Sequence, residues 1–88
     1  RVMETVEVVI ELQEGLHARP ASIFVREAAK YKSEVFLTAN GVTVNGKSIM
    51  GILMLALSPG TRVQLEIRGD DEKEAIARLP GLLNGEES

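Results

Sequence analysis

Hydrophobic and polar positions alternate from Met3 to Leu12: Val6, Val8, Ile10 and Leu12 fall on one side, Glu7 and Glu11 on the other. A period of two marks a half-buried strand, and Gly15 breaks it. From Ala18 to Tyr31 the period lengthens. Ala21, Val25, Ala28 and Ala29 make one helical stripe, widened by Ile23 and Phe24. Pro20 falls in the first turn of that helix, where a missing N–H costs nothing. Alternation returns at Val35, Leu37 and Ala39 and stops at Asn40-Gly41, a dipeptide suited to a tight hairpin because both central residues need positive φ.

Val42-Thr43-Val44 is then the return strand. Asn45-Gly46 makes a second turn, and Ser48 is placed to cap a short helix from Ile49 to about Leu55. Beyond the Ser58-Pro59-Gly60 turn, Val63, Leu65 and Ile67 alternate with Arg62, Gln64, Glu66 and Arg68. Gly69-Asp70-Asp71 closes this strand and supplies a cap for the last helix, whose stripe is Ala75, Ile76, Leu79, Leu82 and Leu83. Glu72 and Glu74 in its first turn complement the helix dipole. Pro80 predicts a kink or an early end near Leu79. The order is β-α-β-β-α-β-α, an α+β two-layer open-faced sandwich: a four-stranded antiparallel sheet with helices on one face. Residues 1–88 read as one domain, with 84–88 as a polar tail.

Composition narrows the chemistry. With 44% hydrophobic and 26% charged residues over 88 positions, the chain has the make-up of one small globular domain. It has no cysteine, which excludes a disulfide scaffold, a thiolate zinc site and a thiol nucleophile. Ten basic against thirteen acidic residues give a net charge of −3, the wrong sign for a general nucleic-acid binder. The longest apolar run, Ile52 to Leu57, is too short to cross a bilayer. The N-terminus carries no signal-peptide pattern, and a cysteine-free chain fits a reducing cytosol, so a cytoplasmic location is expected. Histidine occurs once, at His17.

That histidine lies between a glycine break and the first turn of an amphipathic helix. The N–H groups of such a turn point outward and carry about half a positive charge together. The arrangement attracts anions and disfavours imidazolium. Arg19 adds a fixed cation with donor geometry matched to phosphate. A neutral imidazole so placed can accept a phosphoryl group and keep it electrostatically satisfied. Position alone leaves open a plain cap or a solvated surface histidine. A metal site lacks a second histidine or cysteine, and nothing resembles the nucleophile elbow of a serine hydrolase. No metal and no cofactor are expected.

Gly15-Leu16-His17-Ala18-Arg19-Pro20-Ala21 resembles the active-site signature of HPr, the phosphocarrier of the phosphoenolpyruvate:sugar phosphotransferase system, and Gly46-Lys47-Ser48-Ile49-Met50-Gly51 resembles that family's regulatory-serine segment. The resemblance implies a carrier rather than a stand-alone enzyme. His17 would accept a phosphoryl group on Nδ1 from phosphorylated enzyme I and pass it to enzyme II A domains for sugar uptake. Arg19 and the first-turn amides, beginning with Ala18, would stabilise it. Ser48 would be phosphorylated by an HPr kinase/phosphorylase, linking the protein to a transcriptional regulator; a plain N-cap is the other reading. Ile49, Met50 and Leu53 would form an exposed docking patch bordered by Leu16, with Ile52 and Leu55 in the core. A regulatory paralogue, a nitrogen-related carrier and an HPr domain of a multidomain phosphotransferase protein are the alternatives. A regulatory paralogue can dispense with the histidine. A monomer suffices for the carrier role. Two stretches depart from the family pattern: the acidic run Glu11 to Glu14, and the Pro80-Gly81 break.

Overall fold

The computed structural model describes residues 3–13 and 15–85. The strands are β1 (Glu4–Val9), β2 (Glu34–Ala39), β3 (Val42–Asn45) and β4 (Arg62–Arg68); the helices are α1 (Ala18–Ala28), α2 (Ile49–Met54), α3 (Glu72–Arg78) and α4 (Pro80–Leu83). The strands form one antiparallel sheet in the order β1-β4-β2-β3. The alternation in the sequence fixes its register, since a one-residue slip would turn every apolar side chain to solvent. Val6, Leu65, Leu37 and Val44 line up as one row across all four strands, and the next row on the opposite face is Thr5, Glu66, Phe36 and Asn45.

The helices cover the apolar face. Val8, Val35, Leu37, Ala39, Val63, Leu65 and Ile67 are buried with Ala21, Phe24 and Ala28 of α1, Ile52 of α2, and Ala75, Leu79, Leu82 and Leu83 of the C-terminal helices. The outer face stays polar, and Phe36 there is covered by the Arg68 guanidinium at 5.4 Å from the ring centre. The hairpin turn forms as its dipeptide requires, with φ of 53° at Asn40 and 79° at Gly41.

Two elements depart from the expected pattern, α1 at its end and α3 at its cap. Helix α1 stops at Ala28, short of Tyr31, because the next amides turn back three residues instead of four: Lys30 N–H to Glu27 C=O and Tyr31 N–H to Ala28 C=O, both 3.1 Å. Its buried face centres on Phe24, while Ala29 is exposed. Asp71 occupies the N-cap of α3 but makes no capping bond with its side chain. Its carboxylate reaches across the chain instead, to Lys32 N–H at 2.8 Å, Ser33 N–H at 3.0 Å and the Ser33 hydroxyl at 2.5 Å. Glu72 is buried in the first turn of α3 and turns back to accept from Gly69 N–H at 2.9 Å.

The Pro80 break forms as the sequence indicates. Helix α3 ends at Arg78 and α4 restarts with Pro80 at its first position. Leu79, Leu82 and Leu83 are all buried, so the break redirects the chain without lifting it off the core. Of the polar tail, Asn84 and Gly85 follow the end of α4; residues 86–88, and Glu14 of the acidic run, lie outside the described residues.

Candidate functional site

The histidine is placed by contacts on both sides of it. Ile10 N–H donates to Thr61 C=O at 2.9 Å and Gly60 N–H returns to Ile10 C=O at 2.8 Å, so the chain leaving β1 is held against the turn entering β4. Gly15 N–H closes on Leu12 C=O at 2.9 Å. Gly15 takes a φ of 78°, and a Cβ there would run into the Leu57 carbonyl oxygen. Glycine is therefore required twice over, by conformation and by space. That close approach lets Leu16 N–H donate to Leu57 C=O at 2.8 Å.

Leu16 is 3% exposed. It works chiefly as an anchor, and it lines one depression together with Leu53 of the expected docking patch. One residue on, His17 is exposed and extended at the N-cap of α1, with φ −99° and ψ −165°. Its side chain does not cap the helix. The first amide to close the helical ladder is that of Ala21, on His17 C=O at 2.9 Å. The N–H groups of Ala18 and Arg19 precede that bond, and Pro20 has none. Ala18 and Arg19 are both exposed, so His17, two leading amides and Arg19 follow one another at the exposed start of the helix.

The second candidate segment is α2. Ser48 caps it, its Oγ accepting from Gly51 N–H at 3.1 Å. Ile52 is fully buried and Leu55 nearly so, as the core reading of these two had it. Ile49 and Leu53 are each 37% exposed, Met50 68% and Met54 78%. Met54 was not among the expected patch residues. Its signal was present, four residues after Met50 on the same helix face. Leu16, His17 and Ala18 share an open depression of about 350 Å³ with Leu53, Ala56, Leu57 and Ser58, so His17 and the patch meet at Leu53.

Ala56 stands out in that lining. Its φ is 49°, a left-handed conformation that costs a residue with a Cβ about 1–2 kcal/mol. Among the described residues no cluster of three His, Cys, Asp or Glu side chains is placed to hold a metal, and no helix is long and apolar enough to cross a membrane.

Comparison with known proteins gives this geometry a class. The phosphocarrier protein HPr from Bacillus anthracis str. Ames has the same fold, with a TM-score of 0.90 at 38% identity over 94% of this chain and 99% of that one. The phosphocarrier protein HPr of Neisseria meningitidis serogroup A is 48% identical over 82 residues, 93% of this chain and 90% of the relative. The HPr-like protein Crh of Bacillus subtilis is 48% identical over 80 residues, 91% and 94% of the two chains. The class is that of the small phosphocarriers. A family model described as the PTS HPr component phosphorylation site matches residues 4–85, and the chain belongs to that HPr family of the phosphotransferase system.

Proposed function

We propose that this chain is a phosphoryl carrier in which His17 Nδ1 accepts the phosphoryl group of phosphorylated enzyme I and passes it to an enzyme II A domain. One observation carries the reading: the chain's single histidine stands exposed at the N-cap of α1, followed by the leading amides of Ala18 and Arg19, in a depression it shares with Leu53 of α2. In each transfer a new N–P bond forms at the acceptor imidazole as the donor's N–P bond breaks in line. The charge on the three phosphoryl oxygens is met by amide N–H groups and the Arg19 guanidinium. Nothing in this step asks for a resident metal or nucleotide. The partners bring the remaining machinery, and the protein works as a carrier in the cytoplasm rather than as a catalyst.

Incubation with enzyme I and phosphoenolpyruvate should label the protein at one site, with an acid-labile, base-stable adduct. His17→Ala should abolish the label, and a melting curve of the same variant checks that the fold is kept. Labelling that survives the substitution would end the carrier reading. The presence of His17 also favours a carrier over a purely regulatory paralogue.

Ser48 is the proposed regulatory residue. A phosphate on its Oγ would replace the acceptor of Gly51 N–H and set a double negative charge at the edge of the Ile49, Met50, Leu53 patch. Docking of enzyme I would weaken, and a surface for a transcriptional regulator would be created. An HPr kinase with ATP should give an acid-stable adduct that Ser48→Ala removes. If the active kinase leaves the parent protein unmodified, Ser48 is a helix cap only.

A further inference from the structure

Among the described residues, every positive φ other than that of Ala56 belongs to a glycine or to Asn40 of the hairpin turn. Glycine or asparagine is what such positions ordinarily select. Ala56 follows the C-cap of α2, its N–H donating to Leu53 C=O at 3.1 Å, at the position where helices commonly end on a left-handed glycine. The exception falls at the site. Ala56 lines the depression that holds His17, and the residue after it, Leu57, supplies the carbonyl that fixes Leu16, the neighbour of His17.

We propose that Ala56 is a positioning residue for the chemistry at His17, its methyl group serving as a fixed wall of the depression through which the imidazole is reached. Glycine would make the same turn at lower conformational cost but would leave that wall open and the turn free to move. For what the wall protects, the inference rests on the phosphoryl-carrier reading. A phosphoryl group on nitrogen is lost when water attacks in line: the P–O bond forms, the N–P bond breaks with its electron pair left on the imidazole nitrogen, one water proton passes to that nitrogen through solvent, and inorganic phosphate departs with the other. An apolar group in the lining of that depression limits water's approach while a docked partner supplies its own acceptor.

The test compares the parent protein with Ala56→Gly and Ala56→Ser, the latter keeping a Cβ. Two rates are measured: carbethoxylation of His17 by diethyl pyrocarbonate, clean because there is only one histidine, and hydrolysis of phosphorylated His17. Ala56→Gly should melt about 4 °C higher, yet react with the reagent and lose phosphate about threefold faster. Ala56→Ser should match the parent in both rates. Rates in Ala56→Gly equal to the parent's, or Ala56→Ser as fast as Ala56→Gly, would overturn the proposal, as would a melting temperature that fails to rise in Ala56→Gly. If the parent takes no phosphoryl group from enzyme I, the carrier reading fails and the carbethoxylation rates decide the role of Ala56 alone.

Discussion

At the C-terminal end of α1 the chain is tied to Asp71 by the Lys32 amide, the Ser33 amide and the Ser33 hydroxyl, and the Lys47 ammonium donates to Tyr31 C=O at 2.6 Å. At the N-terminal end of the same helix the capping residue is an exposed histidine that makes no capping bond with its side chain. Both ends begin with the same physical problem, backbone groups left over by the helical ladder. One end solves it internally: the Ala29, Lys30 and Tyr31 amides take the last carbonyls, and Asp71, 38 residues from Ser33, holds the chain that follows. The other keeps its leading amides at the surface, where an anion could use them. A helix can be fixed in place from one end, which frees the other for chemistry. Stability should therefore respond mainly to substitutions at the Asp71 end, and transfer to substitutions at the His17 end.

Gly69→Ala should break the closed end most severely. Gly69 packs on Ser33 so tightly that an added Cβ would overlap the Ser33 hydroxyl and stand 2.6 Å from its Cα. The φ of 154° adds a conformation that alanine rarely takes. Overlap and strain together should cost about 3–5 kcal/mol in urea unfolding. The folded fraction should still accept phosphate at His17 at the parent's rate. If that rate falls with stability, the two ends are coupled and the division of labour along α1 is wrong.

Acid should weaken the same end. The Ser33 hydroxyl, followed by the Lys32 amide, holds the Asp71 carboxyl at about 2, below its ordinary value of 3.8. A carboxyl depressed in the folded state favours folding above its unfolded pKa, and that contribution is lost as pH falls toward the folded one. Here the loss should run from about pH 4 to about pH 2. Glu27, lowered chiefly by its bond to Lys30, adds to the same limb with the same sign. Asp71→Asn should start less stable at neutral pH and fall less steeply on acidification. Parallel acid limbs for the two proteins would remove Asp71 from the clamp.

The two ends also differ in how far the sequence revealed them. Local signals were legible: alternation at Val6 and Val8 or at Val63, Leu65 and Ile67, the positive φ pair at Asn40-Gly41, the Ser48 cap, and the stop before Pro80. Each depends on neighbours a few residues away. The contiguous run from Gly15 to Ala21 made the His17 end readable for the same reason. The clamp was not readable, because Asp71 has an equally good local use as a helix cap and only the folded chain presents Ser33 to it. The burial of Leu16 was hidden for a related reason: adjacency to His17 says nothing about Leu57, whose carbonyl draws it inward. Ala56 gave no signal at all, since alanine favours the right-handed helix and its Cβ makes a left-handed turn costly.

The smallest effect on stability should come from the helix beside the open end. Met50 is 68% exposed on α2, whose buried contacts come from Ile52. Met50→Glu removes no core contact, so its unfolding free energy should stay within about 0.5 kcal/mol of the parent's. On the proposed docking patch, the same carboxylate would have to be desolvated against an apolar partner surface, and transfer from enzyme I should slow about tenfold, which is 1.4 kcal/mol. Met50→Leu, apolar and of similar volume, should transfer at nearly the parent rate. Measuring urea unfolding and transfer on the same three proteins separates the two consequences. A slowed Met50→Glu with unchanged stability confines the effect to docking at the His17 end, whereas equal transfer rates in all three would return Met50 to an ordinary exposed side chain and leave His17 and its helix mouth to recognise the partner without it.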